Sequence, residues 1–168
     1  MQIDQKLGFW LFQAHHSMMS ALADILQAHC LERTKPYIIT PPQWGILALL
    51  NREDGQTIGA LAQKLYVDPP AITGLVTRME KIGLVERLHN GEDRRVVNVY
   101  LTQEGHNITR TLIPVVKKFY QKIMSSQEQL ALTLQLQELV ADIKTKFPKT
   151  FEKMESPQTQ QWLQEKVQ

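Results

Sequence analysis

Residues 57–102 read TIGALAQKLYVDPPAITGLVTRMEKIGLVERLHNGEDRRVVNVYLT, and the fold turns on how this stretch is read. Thr57 suits a helix N-cap, and Ile58, Leu61, Ala62 and Leu65 follow at the spacing of one helical face. Asp68-Pro69 opens a second helix in the same way; Ile72, Leu75, Val76 and Met79 form its apolar face, and Gly83 stops it. Residues 84–88 and 95–102 are rich in Val, Leu and Tyr and read as antiparallel strands joined by a charged turn holding Asn90-Gly91. Helix, turn, helix, hairpin is the order of a winged helix-turn-helix, a shape that usually binds duplex DNA.

Working outward, residues 3–31 read as one long amphipathic helix. Ile3, Leu7, Trp10, Leu11, Ala14, Met18, Ala21, Leu22, Ile25 and Leu26 recur at three- and four-residue spacing with no proline among them. At ~1.5 Å per residue it is roughly 40 Å long, more than the central lobe can cover. Lys35-Pro36 ends it, and Thr40-Pro41 starts a second helix running to about residue 50, with Trp44, Leu47 and Leu50 facing inward. Residues 51–56, with Asp54-Gly55, read as a turn. Downstream, Thr102 caps a helix to about residue 124 whose stripe is Ile108, Leu112, Val115, Val116, Phe119 and Ile123; Pro114 should kink or break it. Ser125 and Glu128 have capping-box spacing for a last helix bearing Leu130, Leu134, Leu136, Leu139, Val140, Ile143 and Phe147.

The fold class is therefore mainly α with a small β-hairpin. Residues 1–35 form an N-terminal dimerisation helix, 36–102 the winged lobe, 103–147 C-terminal dimerisation helices, and 148–168 a loosely attached tail with room for a short helix. The end helices carry apolar stripes with no domain of their own to bury them. A symmetric dimer solves that problem; a six-helix monomer closing on itself is the competing arrangement.

Composition sets outer bounds. The 168 residues are 43% hydrophobic and 21% charged, which suits one compact domain or a small module with helical flanks. A net charge of +2 permits a polyanionic partner without demanding one. Cys30 is the single cysteine, which excludes an intramolecular disulfide. With no leader-like start and no ~18-residue apolar run, the expectation is a soluble, cytoplasmic protein.

Several residues of the central stretch suit a DNA-reading surface. Ala62 is small where the two helices cross, and Ile72 and Leu75 anchor the second helix against the first. The remaining face of that helix is Pro70, Ala71, Thr73, Gly74, Thr77 and Arg78, with Lys81 beyond; hydroxyls and an arginine can meet base edges and phosphates. At the hairpin tip, Arg94 and Arg95 can reach a narrow minor groove, and Asp93 orients one of the two guanidiniums. From Arg78 to Arg95 five basic residues, Arg87 among them, stand against four acidic ones. A lone lobe thus has few phosphate contacts, and two lobes on half-sites ~34 Å apart double them.

The runs Leu61-Ala62-Gln63-Lys64-Leu65, residues 73–87, Asp93-Arg94-Arg95 and Leu101-Thr102-Gln103-Glu104-Gly105 resemble the MarR (multiple antibiotic resistance regulator) family over roughly residues 7–145. The resemblance implies a dimeric transcription regulator whose terminal helices pair and whose fourth helix enters the major groove. It implies Arg95 as the minor-groove residue and Arg94 on the backbone. It also implies control by small aromatic or phenolic compounds, for which Trp10, His15, His16, Met18, Met19 and Trp44 are candidate cleft residues. Two departures stand out: Tyr66 where the inter-helix turn often holds Gly or Asn, and Gly74 where a larger polar residue is common.

Enzyme signatures are missing: no Walker-type loop, dinucleotide glycine pattern or nucleophile elbow. No cofactor and no metal are expected. His15-His16 point about 100° apart on a helix, and His29 with Cys30 has no second ligand pair. Two rival functions are a winged-helix module that binds protein instead of DNA, and a thiol-sensing regulator using Cys30.

Overall fold

A computed structural model describes residues 3–33, 35–89 and 96–148. The elements are α1 (Ile3–Glu32), α2 (Pro41–Arg52), β1 (Gln56–Thr57), α3 (Ile58–Leu65), α4 (Pro69–Lys81), β2 (Val85–His89), β3 (Val97–Leu101), α5 (Gln103–Ile123) and α6 (Ser126–Lys146). The strands form one antiparallel sheet in the order β1-β3-β2. The hairpin expected between residues 84 and 102 is β2 paired with β3, Val85 facing Leu101 and His89 facing Val97.

β1 was not expected. Gln56, read as the end of a turn, and Thr57, read as a helix cap, pair with Val99 and Asn98 and make the hairpin a three-stranded sheet. Two residues are too few to show an alternation. The preceding turn needs Gly55 at φ 71°, with the Tyr100 ring lying where a Cβ would stand.

Capping sets the helix starts. Thr57 Oγ1 accepts from Ala60 N at 3.1 Å, and Thr102 Oγ1 from Gly105 N at 3.0 Å. Gln43 Oε1 accepts from Thr40 N at 2.9 Å, and Ser125 with Glu128 makes the expected reciprocal box. α5 runs unbroken through Pro114, so no break occurs; the proline only removes the amide that would bond the Arg110 carbonyl.

One core joins the lobe to its flanks. Leu22 and Leu26 of α1, Ile46, Leu47 and Leu50 of α2, Leu61, Ile72, Val76 and Met79 of the helix pair, Val99 of the sheet, and Ile108 and Leu112 of α5 are all buried. Of the stripe read along α1, Leu22 and Leu26 are buried, with Cys30 one turn beyond them; Leu7, Trp10 and Leu11 are exposed, as are their neighbours Phe9 and Phe12. α6 buries no residue. Ile123 at the end of α5 is exposed as well.

Candidate nucleic-acid interface

The helix pair is built as the sequence requires, with one strained joint. Tyr66 caps α3 at φ 54° and ψ 41°, the left-handed region that glycine tolerates and a ring-bearing residue does not favour. The turn keeps its geometry despite the residue. It closes with Val67 N donating to the Ala62 carbonyl at 3.1 Å. Pro69 then starts α4 behind Asp68, which makes no side-chain cap bond.

On α4, Pro69, Ile72, Val76 and Met79 face the core, while Pro70, Ala71, Arg78 and Lys81 are exposed and Thr73, Gly74, Leu75 and Thr77 are half-buried. The predicted reading face is thus one surface, with its threonines partly turned in. Thr73 Oγ1 donates to the Pro69 carbonyl at 2.9 Å, and Thr77 Oγ1 to the Thr73 carbonyl at 2.8 Å. Gly74 has open surroundings: a Cβ there would meet only Arg78 Nη1, at 3.5 Å.

Arg87 was counted above simply as a basic residue; its role is different. From β2 its Nη2 donates to Thr77 Oγ1 at 2.7 Å and to the Thr73 carbonyl at 3.3 Å, and Nη1 lies 3.6 Å from Glu80. It ties the wing strand to α4 instead of facing solvent. The signal was available: Arg87 stands two residues after buried Val85, on the same face of the strand. A half-buried guanidinium there requires partners.

The base of the wing is equally specific. Thr102 Oγ1 donates to the Gly83 carbonyl at 2.6 Å while capping α5. A Cβ on Gly105 would fall 2.0 Å from the Leu84 carbonyl oxygen, so this position admits only glycine without displacement. Thr102 and Gly105 of the Leu-Thr-x-x-Gly run are therefore structural. The wing tip, with Asp93, Arg94 and Arg95, lies outside the described residues.

A second cluster links the flanks to the lobe. Glu104 near the start of α5 accepts from Lys35 Nζ at 2.7 Å and from the Tyr37 hydroxyl. Those bonds hold its carboxyl below the usual range, while burial and then the Glu104 bond push the Tyr37 phenol upward. Sequence periodicity gave no sign of this cluster.

The six candidate effector residues do not converge within one chain. Met18, Met19 and Trp44 pack against the core, whereas Trp10 (65% exposed), His15 and His16 stand on the uncovered half of α1. An open groove of about 510 Å³ lies elsewhere, between Tyr66 and the face of α6 carrying Leu136, Val140 and Lys144. Cys30 is fully buried, unlike a solvent-accessible sensor thiol. His29 bonds Thr111 at 3.3 Å, and burial lowers its pKa.

Known proteins share this arrangement. Residues 39–97 match the MarR family. The chain is 34% identical over 113 residues to the uncharacterised HTH-type transcriptional regulator YsmB of Bacillus subtilis, spanning 66% of this chain and 77% of that protein. It is 30% identical over 134 residues to the homoprotocatechuate degradative operon repressor of Escherichia coli, spanning 78% and 85%. Among solved structures, the organohalide-sensing regulator RdhR in its 2,4-dichlorophenol-bound form superposes with a TM-score of 0.74 at 18% identity, over 92% of this chain and 87% of that one. The fold is that of a winged-helix regulator, and these relatives are regulators, not enzymes.

Proposed function

The chain belongs to the MarR family of DNA-binding transcription regulators, and on that premise we propose that it works as a homodimeric repressor released by a small aromatic effector. The observation that carries the dimer is the uncovered apolar surface at both ends of the chain. Leu130 and Leu134 of α6, Phe147 just past it, and Phe9, Trp10 and Phe12 of α1 are each more than half exposed, although the core that joins the lobe to α1 and α5 is closed. Soluble monomers rarely leave contiguous apolar surface of that kind in water. In this reading residues 1–35 and 103–147 pair with a second copy, and each lobe, residues 36–102, addresses one half of a pseudo-palindromic operator. The exposed face of α4 enters the major groove, while Arg94 and Arg95, steadied by Asp93, reach the minor groove.

Repression and effector class are supported by relatives. One represses an operon for degrading homoprotocatechuate, and another binds 2,4-dichlorophenol; both compounds are phenols. Trp10, His15 and His16 stand where a second copy would meet α1, so a cleft with Met18, Met19 and Trp44 would be completed by dimerisation. A ligand held there acts by stabilising lobe spacings that do not fit the operator, a shift of population.

Sedimentation equilibrium and gel-shift titration on DNA flanking the protein's own gene test the reading. The expected result is a dimer that protects two half-sites and loses affinity steeply with salt. A monomer binding one half-site would remove the dimer. No release from DNA and no thermal shift with a panel of phenolic acids would remove the effector class.

A further inference from the structure

The reading face of α4 has fewer hydrogen-bond donors to offer than its sequence implies, and Arg87 holds one of its two threonines. A hydroxyl carries one hydrogen and two lone pairs. Thr77 gives its hydrogen to the Thr73 carbonyl at 2.8 Å and accepts from Arg87 at 2.7 Å, a charge-assisted bond. Turning that hydroxyl toward a base would cost the Arg87 guanidinium its shortest bond, and its buried Nε has no partner among the described residues. Thr73 likewise gives its hydrogen to Pro69. Facing outward are Pro70, Ala71 and Arg78, with Gly74 between them; Arg78 Nη1 lies within ordinary contact of the place a Gly74 side chain would take.

We propose that α4, with both threonine hydrogens spent on its own backbone and the Thr77 hydroxyl held by Arg87, reads a half-site chiefly through two chemistries. Arg78 reads the O6/N7 edge of a guanine, and Pro70 and Ala71 read the methyl groups of thymines. This rests on α4 being the helix that enters the major groove. The guanidinium fork matches the paired acceptors of guanine, and small apolar side chains match the thymine C5 methyl. Bare backbone at Gly74 lets the guanidinium lie along the helix and the helix approach the base edges closely. Lys81, one turn on from Arg78, is left to the phosphates. Arg87 is a positioning residue, acting through Thr73 and Thr77.

The test uses duplexes that the wild-type chain selects from a random library. In the selected sequence, 7-deazaguanine deletes N7 and deoxyuridine deletes the thymine methyl. Both should weaken wild-type binding, the guanine change by roughly tenfold to a hundredfold. Arg78→Ala should lose a similar factor and become indifferent to 7-deazaguanine at one position of each half-site. Thr77→Val, which removes the oxygen that Arg87 bonds, should weaken guanine discrimination and alter the preference at no other position. Arg87→Met should lose guanine discrimination while remaining folded by circular dichroism, and Arg87→Lys should recover part of it. A base preference altered by Thr77→Val at a position other than the guanine read by Arg78, or a 7-deazaguanine penalty undiminished in Arg78→Ala, overturns the inference. A wild-type chain that selects no sequence overturns the regulator reading beneath it instead.

Discussion

α5 and α6 follow one another, have 21 residues each, and carry similar runs of Leu, Ile and Val. Yet α5 buries Ile108, Thr109, Leu112, Val116 and Phe119, and α6 buries nothing. The difference is not in how they start, because both begin on an N-cap whose hydroxyl accepts a backbone N–H, Thr102 in one and Ser125 in the other. It lies in what each stripe meets. α5 packs on α1 and α2 of its own chain. The apolar residues of α6 are less sharply one-sided, with Leu130, Leu132, Leu134 and Leu136 at two-residue spacing, and have no such partner among the described residues; most helical stability in proteins comes from packing. Periodicity says that a face is meant to be buried; it does not say by what.

The strongest way to break this comparison is to truncate the two stripes in turn. Leu112→Ala in α5 should cost about 2–5 kcal/mol of lobe stability, measured by urea unfolding, because it opens a cavity in a closed core. Leu136→Ala in α6 should leave the unfolding midpoint unchanged at low protein concentration and lower it only where dimers form. Equal losses at every concentration would mean that α6 is packed within its own chain. Next in size is Gly105→Ala, whose Cβ must displace the Leu84 carbonyl; about 1–3 kcal/mol is expected, again read by urea.

A smaller change addresses the place where α6 touches the lobe. Lys144 Nζ lies 4.9 Å from the centre of the Tyr66 ring. Tyr66→Gly relieves a left-handed backbone at a gain of about 1 kcal/mol and forfeits a cation–π contact worth about 0.5 kcal/mol at such a site. The net expectation is a slightly raised melting temperature. A fall would show that α6 contributes more to the lobe than its exposure suggests.

What could be read from the residues follows the same division. Caps and stops act within three or four residues, so Thr57, Asp68-Pro69, Gly83, Thr102 and Ser125 located the helices, and Val85 to Leu101 the hairpin. β1 was too short to have a period. Tyr66 takes a conformation its residue type disfavours, so only the surrounding fold could specify it. The bond that Thr77 accepts comes from Arg87, in a different element, and the Lys35–Tyr37–Glu104 cluster joins residues 67 to 69 positions apart. Of the wing tip, the charge pattern at Asp93 to Arg95 was legible, and its placement lies outside the described residues.

The smallest predicted effect sets two glutamates against each other. Glu104 in the first turn of α5 is held below the usual carboxylate range by bonds from Lys35 and Tyr37, which belong to the linker before α2. Glu128 in the first turn of α6 is also lowered, but by Ser125, its own cap. A carboxyl whose folded pKa is depressed adds stability above its unfolded pKa, near 4.5, and loses it as pH falls through the folded value. Glu104→Gln should therefore lower the stability of the whole lobe at neutral pH. The gap to wild type should close as pH drops below about 4.5. Glu128→Gln should follow the same pH course in the helicity of α6 alone, leaving the lobe's urea midpoint in place under monomeric conditions. If both variants shift that midpoint together, α5 and α6 unfold as one unit, and the contrast between a helix covered by its own chain and one awaiting a partner does not hold.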